Sequence, residues 1–189
     1  MAQPSLFESA PQLPEGLRYQ PELITPSEER KLIAQFEMLG FKPFEFHGFL
    51  GKRRVVSFGW RYDFNGAGLG RTEPVPAFLS PVRERAAAFA GVAPDALEHV
   101  MVSEYAPGAG IGWHKDRPDF DKVIGVSFAA PARFRLRRRR PEGFDRAELI
   151  AEPRSAYLLD GPVRREWEHS IPPMDQLRFS VTFRTLKAR

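Results

Sequence analysis

Three observations predict a mostly β domain with flanking helices (α+β), built as a helix-backed β-sandwich or jelly-roll barrel. Two segments with helical apolar spacing come early, strand-like segments follow one another beyond Ala96, and there is neither βαβ alternation nor an internal repeat. A chain of 189 residues with 42% apolar and 12% aromatic content can bury one core, and 28% charge is ordinary for a globular protein. Zero Cys excludes disulfides and thiolate metal sites, so a metal here must be held by His nitrogen and carboxylate oxygen.

The first fifteen residues are Pro-rich and weakly patterned, which predicts a flexible arm at 1–15 and a single domain at 16–189, with order beginning near Leu17. Thr25-Pro26-Ser27-Glu28 supplies an N-cap, Pro at the first helical position and Glu at the third, followed by Leu32, Ile33, Phe36 and Leu39 at helical spacing. A helix is expected there, ending at Gly40. From Phe44 to Phe64, Phe, Val and Tyr interrupted by Gly48, Gly51 and Gly59 predict short strands with turns, and Asn65 to Gly68 reads as a loop. Phe78, Val82, Ala86 and Phe89 share a face of a second helix, from about Pro76 to Ala90, with Gly91 as its stop. Strands are then expected at 99–105, 122–130, 133–139, 148–151, 155–159 and 176–186. The last alternates cleanly, with Arg178, Ser180, Thr182 and Arg184 on one face and Phe179, Val181 and Phe183 on the other.

The net charge is +4, from 28 Lys and Arg against 24 Asp and Glu, but six of the eight residues from Arg133 to Arg140 are Arg. Setting those six aside leaves 22 positive against 24 negative groups, so the basic excess sits in one segment and points to a localised anionic partner. No apolar run approaches the roughly 20 residues that span a bilayer, and the N-terminus carries no signal pattern. A cytoplasmic, monomeric protein without membrane association is the expectation.

Two of the four His stand in suggestive settings, Trp113-His114-Lys115-Asp116 after a Pro-Gly turn and Trp167-Glu168-His169-Ser170 before a Pro-Pro break. In extended backbone His114 and Asp116 project from one face. With His169 from a distant strand they would form the 2-His-1-carboxylate triad of a non-haem Fe(II) oxygenase. The bland alternative is a loop His ion-paired with Asp116 and an unrelated surface His. On the terminal strand Arg178 and Arg184 lie about 20 Å apart along one face at ~3.3 Å per residue, and each reaches roughly 7 Å inward. The remaining gap, on the order of 6 Å, suits the two carboxylates of a five-carbon diacid gripped by guanidinium forks. On the residues alone, the alternative is that this face meets solvent.

The run from Glu104-Tyr105-Ala106-Pro107-Gly108 through Trp113-His114-Lys115-Asp116, then His169, then Arg178-Phe179-Ser180-Val181-Thr182-Phe183-Arg184, resembles the AlkB family of Fe(II)- and 2-oxoglutarate-dependent dioxygenases over roughly residues 15 to 187. The resemblance implies a double-stranded β-helix core, with His114, Asp116 and His169 as iron ligands. It makes Arg178 the partner of the distal carboxylate of 2-oxoglutarate, Arg184 the partner near its keto-acid end, and Tyr105 a hydrogen-bonding neighbour. Phe58 to Tyr62 resembles the family's substrate lid, which makes Trp60 and Tyr62 substrate contacts, with buried strand aromatics as the alternative. Three positions depart from the family pattern: Ser103 and Ser180 stand where Asn is frequent, and Pro118 where some DNA-repairing members have an acidic residue, with Asp119 adjacent. Both Ser retain hydrogen-bonding capacity and stay among the expected cosubstrate contacts, whereas base preference is left open.

The implied activity is oxidative removal of an alkyl group from a base in DNA or RNA, with Fe(II), 2-oxoglutarate and O2 as cofactor and cosubstrates. Along Arg133-Phe134-Arg135-Leu136-Arg137 alternate arginines share a face, as in an edge strand tracking phosphates, so Arg135 and Arg137 join the expected substrate contacts. Lys52, Arg53 and Arg54 form a second basic cluster. A solubilising edge that resists strand-to-strand aggregation is the alternative. Two other functions remain open on the sequence: the same oxygenase chemistry on a protein or small molecule, and a non-catalytic nucleic-acid-binding module.

Overall fold

A computed structural model describes residues 13–46, 48–63, 66 and 68–187. Residues 1–12 of the expected arm lie outside the described residues, as do Asn65 and Ala67 of the expected loop. Along the chain run β1 (Leu17–Gln20), α1 (Pro26–Phe36), β2 (Lys42–Phe46), β3 (Phe49–Phe58), β4 (Trp60–Asp63), β5 (Gly68–Arg71), a 3-10 turn (Ala77–Leu79), α2 (Ser80–Ala90), a second 3-10 turn (Pro94–Ala96), β6 (His99–Tyr105), β7 (Ile111–His114), β8 (Phe120–Phe128), β9 (Ala132–Arg139), β10 (Phe144–Ala151), β11 (Ala156–Leu159), α3 (Gly161–Glu166), β12 (Glu168–Ile171) and β13 (Arg178–Leu186).

The strands form a seven-stranded sheet of order β1-β11-β8-β13-β6-β3-β2, a four-stranded sheet of order β10-β9-β12-β7, and the small β4-β5 hairpin. Every recorded pairing is antiparallel. This is the double-stranded β-helix that the sequence predicts, with the helices backing the large sheet. Phe179, Val181 and Phe183 of β13 enter the helix-side core with Phe36, Leu79, Ala86 and Phe128. Phe36 meets Phe128 edge-on at 5.1 Å between centroids and is fully buried, so truncating it to Ala should cost about 3–5 kcal/mol. The opposite face of β13 looks into the space between the two sheets.

α1 begins as predicted. Thr25 Oγ1 accepts from Glu28 N at 3.2 Å, and Glu28 Oε2 accepts from Thr25 N at 2.7 Å. The helix ends at Phe36 rather than Gly40, because the chain tightens into a turn in which Leu39 N donates to Phe36 O at 2.9 Å. Glu29 is buried because it accepts from Ala129 N at 2.9 Å and Arg154 Nη1 at 3.1 Å, fixing the helix to the end of β8. The second helix is preceded by a 3-10 turn, with Leu79 N bonded to Pro76 O at 3.0 Å.

Two expectations are corrected. Gly51 does not interrupt a strand: β3 runs ten residues through it, and the irregularity of this hairpin is a register shift between Pro43 and Glu45 of β2. The arginine-rich β9 is not an edge strand but lies between β10 and β12, because alternation in a sequence reports faces and not neighbours. Gly59 turns the chain from β3 into β4 with φ of 74°, and a Cβ there would lie 2.0 Å from Glu98 O.

Candidate metal and cosubstrate site

The register of β13 sets the site. On its inward face Arg178 stands opposite Tyr105, Ser180 opposite Ser103 and Ser127, Thr182 opposite Met101 and Gly125, and Arg184 opposite His99. On β13 the two long cationic side chains are thus separated by the short Ser180 and Thr182, which leaves a trough between the guanidiniums. Tyr157 of β11 pairs with Gly125 and lays its ring over it: a Cβ on Gly125 would meet Tyr157 Cζ at 2.2 Å.

Arg178 is completely buried, donates from Nε to Ser127 Oγ at 3.0 Å, and stands 5.0 Å from the Tyr105 ring centroid. Its Nη1 has no hydrogen-bond partner, and neither does Ser103 Oγ. A buried guanidinium without a carboxylate is costly, so the solvent-face alternative for β13 falls and an absent anion is implied. Burial raises the pKa of Tyr105, but Arg53 and Arg178 outweigh it and hold the phenol below its ordinary value. Arg53 is itself buried, 4.4 Å from the Phe44 ring centroid. The expected basic cluster at 52–54 therefore divides: Arg53 turns into the site, while Arg54 is engaged by Glu104 at 2.7 and 2.9 Å.

At the other end of the trough Arg184 donates from Nη2 to Asp116 Oδ1 at 2.9 Å, and its Nη1 lies 3.2 Å from His99 Nδ1. Because the guanidinium can only donate, His99 accepts through an unprotonated Nδ1. Burial and then Arg184 push its pKa down to about 3. Burial raises that of Asp116, yet Arg184, His169 and His114 together draw it well below the carboxylate range.

His114 ends β7, and His169 faces it across the β7–β12 pairing. Their ring centroids are 4.2 Å apart, and one ligand atom from each of His114, Asp116 and His169 falls within 4.8 Å of the others. His114 Nδ1 lies 2.9 Å from Gly112 O, so Nδ1 carries the proton and Nε2 is left as the ligand nitrogen. Burial keeps both imidazoles neutral, lowering His169 to about 3. Asp116 Oδ2 is buried without a partner, so the three groups offer two neutral nitrogens and one anionic oxygen to a divalent metal. Phe134 backs His169 at 5.2 Å and Tyr157 at 4.4 Å, forming an apolar wall behind the cluster.

Around this centre Trp60 donates to Glu98 Oε2 at 3.2 Å and carries Arg71 on its ring, while Tyr62 holds the Arg117 guanidinium at 4.2 Å. Tyr62 therefore borders the residue next to Asp116, whereas Trp60 is anchored to Glu98, the residue before β6. Arg135 bonds Ser170 Oγ at 3.1 Å and Arg137 bonds Glu168 at 2.6 Å, both on the outer face of the four-stranded sheet. Asp119, next to Pro118, pairs with Arg117 at 3.6 Å. Three residues of the site were not among the sequence expectations: His99, Tyr157 and Arg164. Arg164 of α3 is buried and donates to the carbonyls of Asp116, Arg117 and Phe120 at 3.3, 2.6 and 2.6 Å.

The donor set fits Fe(II), and the unpartnered groups of Arg178, Ser103 and Arg184 fit a short dicarboxylate beside it. Residues 16–184 match the profile of the 2OG-Fe(II) oxygenase superfamily. An Arabidopsis thaliana protein named "Alkylated DNA repair protein ALKBH8 homolog" is 29% identical over 192 residues, covering 89% of this chain and 54% of the relative. The Mus musculus tRNA (carboxymethyluridine(34)-5-O)-methyltransferase ALKBH8 is 27% identical over 183 residues, covering 91% of this chain and 27% of that protein. The chain thus spans about half the length, or less, of these curated relatives. Among solved structures, OsALKBH1 matches with a TM-score of 0.69 at 15% identity, covering 92% of this chain and 98% of that one. A Pseudomonas putida prolyl-4-hydroxylase matches with a TM-score of 0.61 at 15% identity, over 91% and 93% respectively. The chain belongs to the 2OG-Fe(II) oxygenase superfamily, whose chemistry uses Fe(II), 2-oxoglutarate and O2, and within it is similar to AlkB homologues.

Proposed function

We propose that this domain is an oxidative demethylase of N-alkylated bases in DNA or RNA. The observation that carries the chemistry is the convergence of His114, Asp116 and His169 beside a trough closed at its ends by the buried Arg178 and Arg184. The relatives named for alkylated-DNA repair and for tRNA modification support a nucleic-acid substrate. When bound, Fe(II) with 2-oxoglutarate and O2 supplies the oxidising power: one oxygen atom enters a C–H bond of the alkyl group, and the other leaves in succinate as CO2 is released. Hydroxylation of an N-methyl carbon gives N–CH2OH, which releases formaldehyde and leaves the proton on nitrogen.

The residues then have distinct tasks. His114, Asp116 and His169 hold the metal, with Arg184 keeping Asp116 anionic and His114 oriented by Gly112 O. Arg178 grips the distal carboxylate with Tyr105 beside it, Ser103 and Ser180 hydrogen-bond along the trough, and Arg184 meets the keto-acid end. Phe134 and Tyr157 exclude water from the back of the site. Trp60 and Tyr62 border an extruded base, and Arg135 and Arg137 contact the strand that carries it.

Succinate formation with Fe(II), measured with and without N-methylated oligonucleotides, tests this reading. Turnover coupled to formaldehyde release and stimulated by the methylated strand is expected. Turnover indifferent to any oligonucleotide would favour the second reading, an oxygenase of a protein or small molecule, which the structural match to a prolyl-4-hydroxylase supports. No succinate under any condition would remove both.

A further inference from the structure

The outer face of the four-stranded sheet, turned away from the metal cluster, is occupied by arginines threaded through aromatic rings. Arg133, Arg135, Arg137 and Arg139 alternate along β9, and the register sets Ile150, Glu148, Arg146 and Phe144 of β10 against them in turn. On the other side Ser170 and Glu168 of β12 face Arg135 and Arg137. Arg137 lies between two rings, 4.4 Å from Trp113 and 4.7 Å from Phe144; Arg135 also covers Trp113, while Arg139 and Arg146 approach Phe144 at 5.9 and 5.7 Å.

The charge on this face is unbalanced. Both glutamates are committed, Glu148 to Arg133 and Glu168 to Arg137, each at 2.6 Å. Arg135, Arg139 and Arg146 have no carboxylate partner among the described residues, so three guanidiniums remain for an external anion. Arg135, Arg137 and Arg139 recur every second residue, roughly 6–7 Å apart along the strand. The surface is a sheet with partly exposed rings, whereas duplex grooves are read by an inserted helix or ribbon. Planar guanidiniums and rings in a positively charged row suit successive unstacked bases and their phosphates. Trp113 is also the residue before His114, on the last strand of this sheet, so a chain leaving the face around β7 arrives at the metal cluster.

We propose that this face, centred on Trp113, Arg137 and Phe144 and extended by Arg139 and Arg146, is a platform for single-stranded nucleic acid flanking the base delivered to the site. Its occupant rests on the demethylase reading, but the face is testable without turnover. The probes are a 12-nucleotide single strand, the same sequence as duplex, and polyglutamate, titrated against the full chain and its Arg139→Ala/Arg146→Ala and Phe144→Ala variants. Arg30→Ala/Lys31→Ala, on exposed positions of α1, is the charge-matched control. Loss of two phosphate contacts should weaken single-strand binding at least ten-fold and reduce the slope against log salt by about 1.4. Phe144→Ala should weaken it roughly five-fold or more. Binding by these variants equal to the control, equal losses for duplex, or polyglutamate bound as tightly as the oligonucleotide would each overturn the platform. Strand binding lost as expected, with turnover indifferent to a methylated strand, would keep the platform and remove the demethylase reading.

A separate observation assigns a positioning role to Arg164. The short segment α3–β12 carries His169 and, five residues earlier, a buried guanidinium bonded to three carbonyls of the 116–120 loop that presents Asp116. We infer that Arg164 fixes the carboxylate ligand relative to the distal His, so that one element sets both. Arg164→Met should lower Mn(II) affinity of the purified protein about 10–100-fold. It should also speed hydrogen exchange at the amides of Arg117, Asp119 and Phe120. Arg164→Lys, which keeps the charge and reaches fewer carbonyls, should fall between. If Arg164→Met does not fold, Arg164→Lys decides alone: wild-type Mn(II) affinity with unchanged loop exchange overturns the role.

Discussion

Arg184 and Asp116 form an ion pair at 2.9 Å with both side chains only 8% exposed, joining an expected cosubstrate arginine directly to an expected metal ligand. The pair explains why the carboxylate stays ionised in an apolar surrounding that would otherwise protonate it. Removing one partner of a buried pair leaves the other uncompensated. Arg184→Met should therefore destabilise the metal-free protein by about 3–5 kcal/mol at neutral pH, and Arg184→Met/Asp116→Asn should recover most of that loss. Urea unfolding of the two variants checks it; a single variant as stable as wild type would contradict the pairing as the source of Asp116 ionisation.

The absence of a side chain at Gly125 shapes the cosubstrate trough, because Tyr157 Cζ, Oη and Cε1 occupy the space a Cβ would need, at 2.2, 2.4 and 2.5 Å. Tyr157 cannot swing away freely, since Phe134 stacks on it and on His169 in turn. Gly125→Ala should cost roughly 1–3 kcal/mol by overpacking and weaken 2-oxoglutarate binding more than metal binding. Gly125→Ala/Tyr157→Phe keeps the ring and should not restore binding, whereas Gly125→Ala/Tyr157→Ala should relieve the clash. Thermal melts with and without 2-oxoglutarate distinguish these outcomes.

Parts of this architecture were legible in the chain because they depend on local periodicity. The two-residue alternation of β13 gives both its faces, and the positions of Arg178 and Arg184 follow at once. The same alternation in β6, read back from Tyr105 and Ser103, reaches Met101 and His99, so a signal for His99 was present. Tyr157 offered none, since its contact with Gly125 depends on the pairing of β11 with β8, 32 residues apart in sequence. Arg164 beside Arg165 reads as an ordinary helix-end cation until α3 is packed on the 116–120 loop. The arginines of β9 were correctly assigned to one face, but the partners of that face come from β10 and β12, which alternation alone does not supply.

His99 gives the metal-free protein a defined response to acid. Its ordinary pKa of 6.5 is lowered to about 3 in the fold, so between these values the unfolded chain binds a proton that the folded one refuses. The unfolded state holding more protons means that stability rises with pH, so it is complete above about 6.5 and falls as pH drops toward 3. Burial depresses His169 in the same direction. Urea midpoints should thus decline steadily from pH 7 to pH 4, and His99→Gln, which retains an acceptor for Arg184, should flatten part of that decline. An unchanged slope in the variant would show that His99 is not a source of the acid response.

Ser103 separates the needs of folding from those of binding. Its hydroxyl is buried without a partner, opposite Ser180 and one row from Arg178, and an unsatisfied buried polar group costs about 1–3 kcal/mol. Ser103→Ala removes that cost and leaves little cavity, so the metal-free protein should melt at the same temperature or higher. If the hydroxyl serves 2-oxoglutarate, the same change should raise the dissociation constant for it several-fold while Mn(II) affinity is retained, since Ser103 is not among the three clustered ligand groups. Ser103→Asn, the residue frequent at this position in the family that the sequence resembles, should bind at least as well as wild type. Calorimetric titration of 2-oxoglutarate into the Mn(II)-loaded variants reads this directly: undiminished affinity in Ser103→Ala would detach this hydroxyl from the cosubstrate and leave Arg178 with Tyr105 as the grip on the distal carboxylate.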